Sequence, residues 1–344
     1  MTARTWLIRL LLVSMLLIGL PTGLLMGFNY YIDPLWNFNH ANDYNDRQMW
    51  FSERQQKTNY INTHPMGYDS LLMGTSRATY INQRFFKASR VFNYSLSALH
   101  IDDYKKYIDY ASKKNGKPFK TIYIELYINS YNLLQGNTTA APETFFEQAE
   151  KPFYRYTSLF SLDTLEHSID NYKISKANYY DGPRSYTRSN EVQVDHVTVE
   201  HEKLWPEVKT QISRGWMRYD PDFKAKLQAI KDAYPDTKFV VFTDPVPAQR
   251  FDLILAFESH REAYYRFISE IVDVFGEVYS TQGHTAITND LNNYMDWLHY
   301  YPNVAERIVQ ALENPAEHPD VVRIVNQANK AKYFEQLKAE MTYF

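Results

Sequence analysis

The sequence predicts an α/β fold in which a five-stranded parallel sheet carries helices on both faces. Short apolar runs rich in β-prone residues alternate with amphipathic helical segments along most of the chain, and this order builds a parallel sheet. The predicted strands centre on Leu71, Phe92, Ile124, Val240 and Val278. With 344 residues, 44% of them hydrophobic and none of them cysteine, the chain can bury a full core without disulfides.

The first predicted strand covers residues 69–73 and runs into Gly74-Thr75-Ser76, which turns the chain towards a predicted helix start at Arg77. Such a turn places Ser76 at the carboxyl edge of the sheet, beside the backbone N–H groups of the following helix. That position suits a serine nucleophile. An ordinary β–α turn with a helix-capping serine is the competing interpretation of this segment taken alone.

The next elements keep the alternation. Residues 90–95 are predicted as the second strand, 101–111 as a helix with acidic residues in its first turn, and 119–128 as the third strand. Residues 129–214 are polar, tyrosine-rich and irregular, and we interpret them as an insertion near the cleft. The α/β pattern then resumes, with a helix over 222–233, a strand over 238–243, a helix over about 253–275, a strand over 277–279 and a helix over 304–312.

Residues 10–28 form an uncharged apolar run long enough to span a bilayer as a helix. Arg4 and Arg9 precede it, and no lysine or arginine follows it before Arg47, so the positive-inside rule predicts a cytoplasmic N-terminus and an extracytoplasmic main domain. A cleaved signal peptide is the competing interpretation, but no convincing small-x-small cleavage site follows the run.

These segments predict four parts of the chain. They are a transmembrane anchor over residues 1–28, a membrane-proximal segment over 29–67, an α/β domain over 68–315 with the insertion at 129–214, and a C-terminal amphipathic helix over 316–344. No internal repeat or low-complexity tract is present.

Composition excludes some functional classes. A net charge of -3 and a pI near 6.4, with no stripe of lysine and arginine, argue against nucleic-acid binding. The pairs Asp195-His196 and Glu200-His201 match no strong metal-ligand spacing and are interpreted as a solvated face, so no metal site is predicted. No cofactor is predicted either.

Asp296 and His299 lie three residues apart, after a loop and before the last helix of the predicted domain. Both side chains can therefore reach the carboxyl edge of the sheet, where Ser76 is also expected. A serine hydroxyl becomes a good nucleophile when an imidazole accepts its proton and a carboxylate orients that imidazole. The competing interpretation of Asp296 and His299 alone is a helix-capping pair on the surface.

Three blocks of sequence resemble the SGNH hydrolase superfamily over residues 69–128 and 222–312. The blocks are Gly74-Thr-Ser-Arg77, Asn93-Tyr-Ser-Leu-Ser-Ala98 and Tyr294-x-Asp296-x-x-His299-Tyr-x-Pro302. Within the superfamily, the predicted anchor and the Gly-Thr-Ser-Arg motif make the chain most similar to membrane-anchored bacterial proteins that work beside membrane-bound O-acyltransferases. Examples are the D-alanyl transfer protein of lipoteichoic acid synthesis and the alginate O-acetylation proteins.

The resemblance implies a flavodoxin-like three-layer sandwich with Ser76 as nucleophile, His299 as base and Asp296 as the residue that orients the base. Its second block usually supplies a glycine N–H to the oxyanion hole, and here Ala98 stands in the nearest place. Its third block usually supplies an asparagine, and here Asn129 is the nearby amide.

Two charged residues complicate this assignment. Glu125 stands near the end of the third strand, where a carboxylate would repel a developing oxyanion. Arg77 follows the nucleophile directly and either binds a substrate anion or pairs with a neighbouring carboxylate.

The function implied is a serine acyltransferase or esterase that acts outside the cytoplasm on O-acyl groups of a cell-envelope polysaccharide or a teichoic-acid-like polymer. Its implied partners are that glycopolymer, a membrane-bound O-acyltransferase and the membrane itself. The alternative is a catalytically weak or inactive member that binds the polymer or docks the acyltransferase, and Glu125 is the feature that favours it.

Overall fold

The structure is a computed structural model that describes residues 2–135, 139–195, 200–215 and 217–341. Its α-helices are, in chain order, α1 (Ala3–Ser14), α2 (Leu20–Ile32), α3 (Glu53–Thr63), α4 (Ile101–Asn115), α5 (Pro142–Glu150), α6 (Tyr154–Thr157), α7 (Leu162–Ala177), α8 (His201–Arg214), α9 (Phe223–Ala233), α10 (Ala248–Ala256), α11 (Glu258–Phe275), α12 (Pro302–Glu313) and α13 (Lys330–Glu340). Its strands are β1 (Gln48–Met49), β2 (Ser70–Met73), β3 (Val91–Asn93), β4 (Thr121–Leu126), β5 (Ser185–Tyr186), β6 (Val192–Gln193), β7 (Lys238–Thr243), β8 (Glu277–Ser280) and β9 (Arg323–Asn326).

The chain divides into two compact units. The smaller comprises Met1–Pro65 and Glu143–Ser189, and the larger comprises Met66–Pro142 and Asn190–Phe344. Part of the stretch predicted as an insertion therefore belongs with the N-terminal residues, while its last helix, α8, belongs with the sheet.

The larger unit is built on a six-stranded sheet in the order β3-β2-β4-β7-β8-β9. Neighbouring strands from β3 to β8 are parallel, and β9 is antiparallel to β8. Numbered along the chain, the five parallel strands stand in the order 2-1-3-4-5, which is the flavodoxin-like order. In that order a ligand crevice is expected at the carboxyl ends of β2 and β4, where the direction of strand order reverses.

The five predicted strands are all present, but the prediction of a five-stranded, wholly parallel sheet is wrong. The sixth strand, β9, lies where a single C-terminal helix was predicted over residues 316–344. The cause is the stretch from Val321 to Val325, in which four of the five residues are β-branched and from which Arg323, Ile324 and Val325 pair with β8 before α13 begins. The described part of residues 129–214 supplies no strand to this sheet, as predicted.

The helix predicted over residues 253–275 is two helices, α10 and α11. Phe257 between them has an extended backbone, with φ -80° and ψ 120°. The acidic Glu258 then occupies the first turn of α11, where the helix dipole favours a negative charge.

The smaller unit begins with a continuous helix of 30 residues, Ala3–Ile32. Its most apolar window has a mean hydropathy of 2.1 and buries none of its residues. A π-helical turn, Met15–Gly19, joins α1 to α2 just before Pro21, whose missing N–H disturbs the regular hydrogen-bond pattern. Among the described residues this is the one helix long and apolar enough to cross a membrane, and a signal sequence has the same character.

Two buried ion pairs link the two chain segments of the smaller unit. The Arg188 guanidinium contacts the Asp33 carboxylate at 2.5 Å, and that of Arg184 contacts Glu53 at 3.0 Å. Burial raises the pKa of Asp33, although Arg188 and two backbone N–H groups oppose the rise. The predicted membrane-proximal segment is thus joined to residues of the predicted insertion within one compact unit.

Candidate active site

Ser76 lies just beyond the carboxyl end of β2, where the chain leaves the sheet through Gly74. A β-carbon at residue 74 would lie 2.6 Å from that of Ala78 and 2.7 Å from that of Glu125. Because real β-carbons essentially never approach so closely, only glycine fits here. The close approach brings the serine loop against the end of β4.

The prediction of a helix directly after Ser76 is wrong. The chain makes a short 3₁₀ turn over Ala78–Tyr80 and is extended at Ile81, with φ -82° and ψ 106°. The Thr79 hydroxyl donates to the carbonyl oxygen of Ser76 at 2.5 Å. This side-chain hydrogen bond replaces the continuing helical pattern and fixes the backbone of the serine.

Ser76, His299 and Asp296 are joined by two hydrogen bonds. The Ser76 Oγ lies 2.9 Å from Nε2 of His299, although the two residues are 223 positions apart in sequence. The Nδ1 of His299 lies 2.8 Å from the Oδ2 of Asp296. Since an ionised carboxylate can only accept, the imidazole carries its proton on Nδ1 and presents Nε2 to the serine as an acceptor. This is the geometry expected of a nucleophile, its base and the orienter of that base.

The loop that carries Asp296 and His299 is held by its own hydrogen bonds. The Oδ1 of Asp296 accepts from the backbone N–H groups of Leu298 and His299, both at 2.6 Å. The N–H of Met295 donates to the carbonyl oxygen of His299 at 2.8 Å. Burial would raise the pKa of Asp296, but the hydrogen bonds and charge of His299 and the backbone donors hold it below its usual value.

Helix α8 packs against the same loop. The Trp205 and Trp297 rings stack with centroids 4.3 Å apart, and the indole N–H of Trp297 donates to the carbonyl oxygen of His201 at 3.1 Å. No pattern in the sequence predicts this contact, because α8 lies in a stretch without the α/β alternation. The packing fixes Trp297, the residue directly after Asp296.

Arg77 does not point into solvent but lies buried among acidic groups. Its guanidinium is 3.3 Å from Oε1 of Glu125 and 3.3 Å from Oδ2 of Asp244, and it lies over the ring of Tyr127 at 3.6 Å from the centroid. Burial alone would lower the pKa of Arg77, but the charges of Glu125 and Asp244 hold it above its ordinary value. The predicted pairing of Arg77 with a carboxylate is therefore present.

Glu125 also supports the serine loop directly. Its Oε2 accepts the backbone N–H of Thr75 at 2.5 Å, and its side chain has no exposed area. The carboxylate that was expected to repel an oxyanion is therefore engaged by Arg77 and by Thr75. This removes the physical reason for expecting repulsion at Ser76.

Asp244 completes this buried cluster and was not assigned any chemistry from the sequence. Its Oδ1 accepts the hydroxyl of Tyr300, the residue after His299, at 3.1 Å. Burial, followed by the charge of Glu125, raises the pKa of Asp244 well above its usual value. The cluster thus connects the loop of Ser76 to the loop of His299.

A cavity of about 630 Å³, here called the serine cavity, opens beside Ser76. Its lining includes Arg77, Ala98, Tyr127 and Asn129. The three substrate or oxyanion candidates predicted from the sequence, Ala98, Asn129 and Arg77, are therefore brought to the cavity of the predicted nucleophile. Their roles stay predictions.

Ala98 has a left-handed backbone, with φ 50°. Glycine is the residue that adopts this conformation without strain, and an alanine there is uncommon. The position thus has the backbone shape of a glycine although it carries a methyl group.

His201, one of the residues weighed for a metal site, makes a structural contact instead. Its Nε2 lies 3.1 Å from the carbonyl oxygen of Tyr294. Within the described residues no group of three or more histidine, aspartate or glutamate side chains is placed to hold a metal ion. His196 lies outside the described residues.

No protein-family model and no curated protein matches the chain. A solved structure described as that of "a putative platelet activating factor from Streptococcus pneumonia" is similar to it, with 10% sequence identity and a TM-score of 0.38. The likeness covers 76% of this chain and 91% of that chain. A likeness this weak assigns neither a fold nor an activity to the chain.

Proposed function

We propose that this protein is an SGNH-like serine acyltransferase or esterase that works outside the cytoplasm on O-acyl groups of a cell-envelope glycopolymer. The observation that carries the proposal is the hydrogen-bonded chain from Ser76 through His299 to Asp296. Its position at the carboxyl ends of parallel strands, where the strand order reverses, is where α/β sheets place their sites. The flavodoxin-like sandwich of the superfamily is part of this proposal.

The proposed reaction has two steps. In the first, Ser76 Oγ attacks the acyl carbonyl while His299 Nε2 takes the serine proton, and Asp296 stabilises the imidazolium. The donor alcohol leaves with that proton, and an ester on Ser76 remains. In the second, His299 removes a proton from the incoming hydroxyl, which attacks the ester carbonyl, and the acyl–Ser76 bond breaks as His299 returns that proton to Ser76 Oγ. A sugar hydroxyl gives transfer, and water gives hydrolysis.

The negative charge that develops on the acyl oxygen needs hydrogen-bond donors. Asn129 and Ala98 line the serine cavity, so the proposed donors are the side-chain amide of Asn129 and the backbone N–H of Ala98. The non-catalytic alternative rested on Glu125, and the engagement of that carboxylate by Arg77 and Thr75 favours catalysis over it.

The apolar helix Ala3–Ile32 supports a membrane location for this activity. We propose that it is an uncleaved anchor with a cytoplasmic N-terminus, since Arg4 and Arg9 precede the apolar run. The glycopolymer is the proposed acceptor, and a membrane-bound O-acyltransferase is the proposed source of acyl groups.

Labelling with a fluorescent fluorophosphonate tests the proposed nucleophile in the full-length, detergent-solubilised protein. We expect covalent modification at Ser76, located by peptide mass spectrometry, and its loss in His299→Ala. Ser213→Ala, which removes an exposed hydroxyl on α8, is the control that should label like the wild type. Absence of labelling, under conditions that label a control serine esterase, would reject the proposal.

A further inference from the structure

A second cavity, of about 430 Å³, adjoins the serine cavity and is here called the arginine cavity. The two share Tyr127, Asn129 and Leu134 in their linings. Its remaining wall includes Arg250 from α10 and His260 from α11. The two cavities therefore form neighbouring sites along one crevice.

Arg250 is buried without a partner. Its relative exposure is 8%, and its Nε is a buried donor with no hydrogen bond. Its side chain makes no hydrogen bond or ion pair with any described residue. Asp252, two positions along the same helix, pairs instead with His284, whose Nε2 lies 3.1 Å from the Asp252 Oδ2. A buried donor that has lost water without gaining a hydrogen bond is costly, and the rest of this guanidinium lines the cavity without a counter-charge.

The charge of the whole crevice has one sign. No aspartate or glutamate of the described chain lines either cavity, and the ionisable groups that do are basic or tyrosine. Of the two arginines, Arg77 in the serine cavity is already paired with Glu125 and Asp244, which are fully buried and do not line the cavity. The guanidinium of Arg250 is left as the charge available to a ligand.

We propose that the arginine cavity binds an oxyanion carried by the glycopolymer, either a sugar carboxylate or a phosphate, while a neighbouring unit of the polymer reaches Ser76. Arginine suits both groups, because its planar donors can hold two oxygens at once. The amides of Asn129, Asn132 and Gln211 line the same cavity and supply polar groups for sugar hydroxyls. This inference rests on the proposed function for its substrate but not for its binding test.

Equilibrium binding tests the subsite without any acyl chemistry. Glucuronate, glycerol 3-phosphate and glucose are titrated by calorimetry into the full-length protein and into Arg250→Gln, Arg250→Lys and Arg214→Gln. Arg214 is exposed at the end of α8 and serves as the matched loss of one positive charge. None of the three ligands has an acyl group, so a protein without activity could still bind them.

We expect at least one anionic ligand to bind more tightly than glucose, and the tighter of the two identifies the source as carboxylate or phosphate. Arg250→Gln should weaken that binding about 10- to 100-fold, since a hydrogen bond to a charged group is lost. Arg250→Lys should retain part of it, and Arg214→Gln all of it. The proposal is overturned if neither anion binds better than glucose, or if Arg250→Gln binds the anion as well as the wild type does.

Failure of the binding test and failure of the labelling test are separable. Labelling at Ser76 with no anion preference would leave the acyl chemistry and remove the subsite. Anion binding that depends on Arg250, in a protein that resists the phosphonate, would leave the subsite and remove the acyl chemistry.

Discussion

Arg77 and Arg250 are both buried, one in each of two adjoining cavities, and they differ in what surrounds them. Arg77 has two carboxylates, the hydroxyl of Thr75 and an aromatic ring around its guanidinium. Arg250 has no partner in the described chain. A buried charge that the protein itself satisfies holds the structure together, whereas one that it leaves unsatisfied is available for a ligand.

The largest expected effect is that of Ser76→Ala, which we compare with Arg250→Gln to distinguish a loss of catalysis from a loss of substrate binding. Ser76→Ala should lower the turnover number of acyl transfer or hydrolysis by about 10⁴-fold or more, because the nucleophile is removed. Arg250→Gln should act mainly by raising KM. Steady-state kinetics with an O-acetylated anionic sugar as the substrate measures both the turnover number and KM. A Ser76→Ala protein with full activity would place the chemistry elsewhere.

Asp296→Asn should have the next largest effect, a loss of about 10²- to 10⁴-fold in turnover. The amide keeps the shape of the side chain but cannot fix the Nδ1–H tautomer or stabilise the imidazolium. Phosphonate labelling rates should fall in parallel, while the melting temperature changes little. Unchanged labelling would show that His299 is not oriented by Asp296.

The two arginines should then differ in their effect on stability. Arg77→Met leaves the Glu125 carboxylate buried without its cation and should lower the free energy of unfolding by about 3–5 kcal/mol. Arg250→Met removes an unpaired buried charge and should leave stability unchanged or raise it. Denaturant titration of the two variants makes this comparison. Equal losses would contradict the distinction between the two residues.

The smallest effect concerns the pH dependence of the cluster around Arg77. Burial raises the pKa of Asp244 well above 3.8, so the folded protein holds a proton that the unfolded chain has lost. The contribution of Asp244 to stability is therefore full below about pH 4 and is lost as the pH rises through its folded pKa, by at most about 1.4 kcal/mol per pH unit.

Asp244→Asn cannot ionise and should remove this slope, with little loss of stability at neutral pH. Unfolding free energies measured from about pH 4 upwards should depend less on pH in the variant than in the wild type. Glu125 and Arg77 surround this position in both proteins, so the comparison of the two curves reports on Asp244. An unchanged slope would show that Asp244 is ionised in the folded state.

The parts of the fold and site that could be predicted are those that depend on short stretches of sequence. Each parallel strand is an apolar run bounded by turn residues, and the contact between Ser76 and His299 follows from chemical roles and from the common edge of such strands. The pairing of Arg77 with a neighbouring carboxylate is one of two alternatives that the sequence leaves open, because sequence does not show which side chains are buried.

The rest depends on contacts between distant segments. Nothing in the sequence around Arg250 distinguishes a buried, unpaired guanidinium from a surface one. The 3₁₀ turn after Ser76 follows from a hydroxyl-to-carbonyl bond that competes with the helix, and the pairing of β9 needs the edge of β8 to be present. Such preferences are decided by tertiary context and not by residue propensity.

The antiparallel strand β9 has a practical consequence for anyone who shortens the chain. It covers the outer edge of β8, and behind it the hydroxyl of Tyr333 in α13 lies 2.6 Å from Oγ of Ser280 and 3.0 Å from the hydroxyl of Tyr264. A fragment cut before Arg323 would expose a row of unpaired backbone groups on β8, and another molecule could add its own strand there. We expect such a fragment to self-associate into aggregates instead of behaving as a smaller monomer.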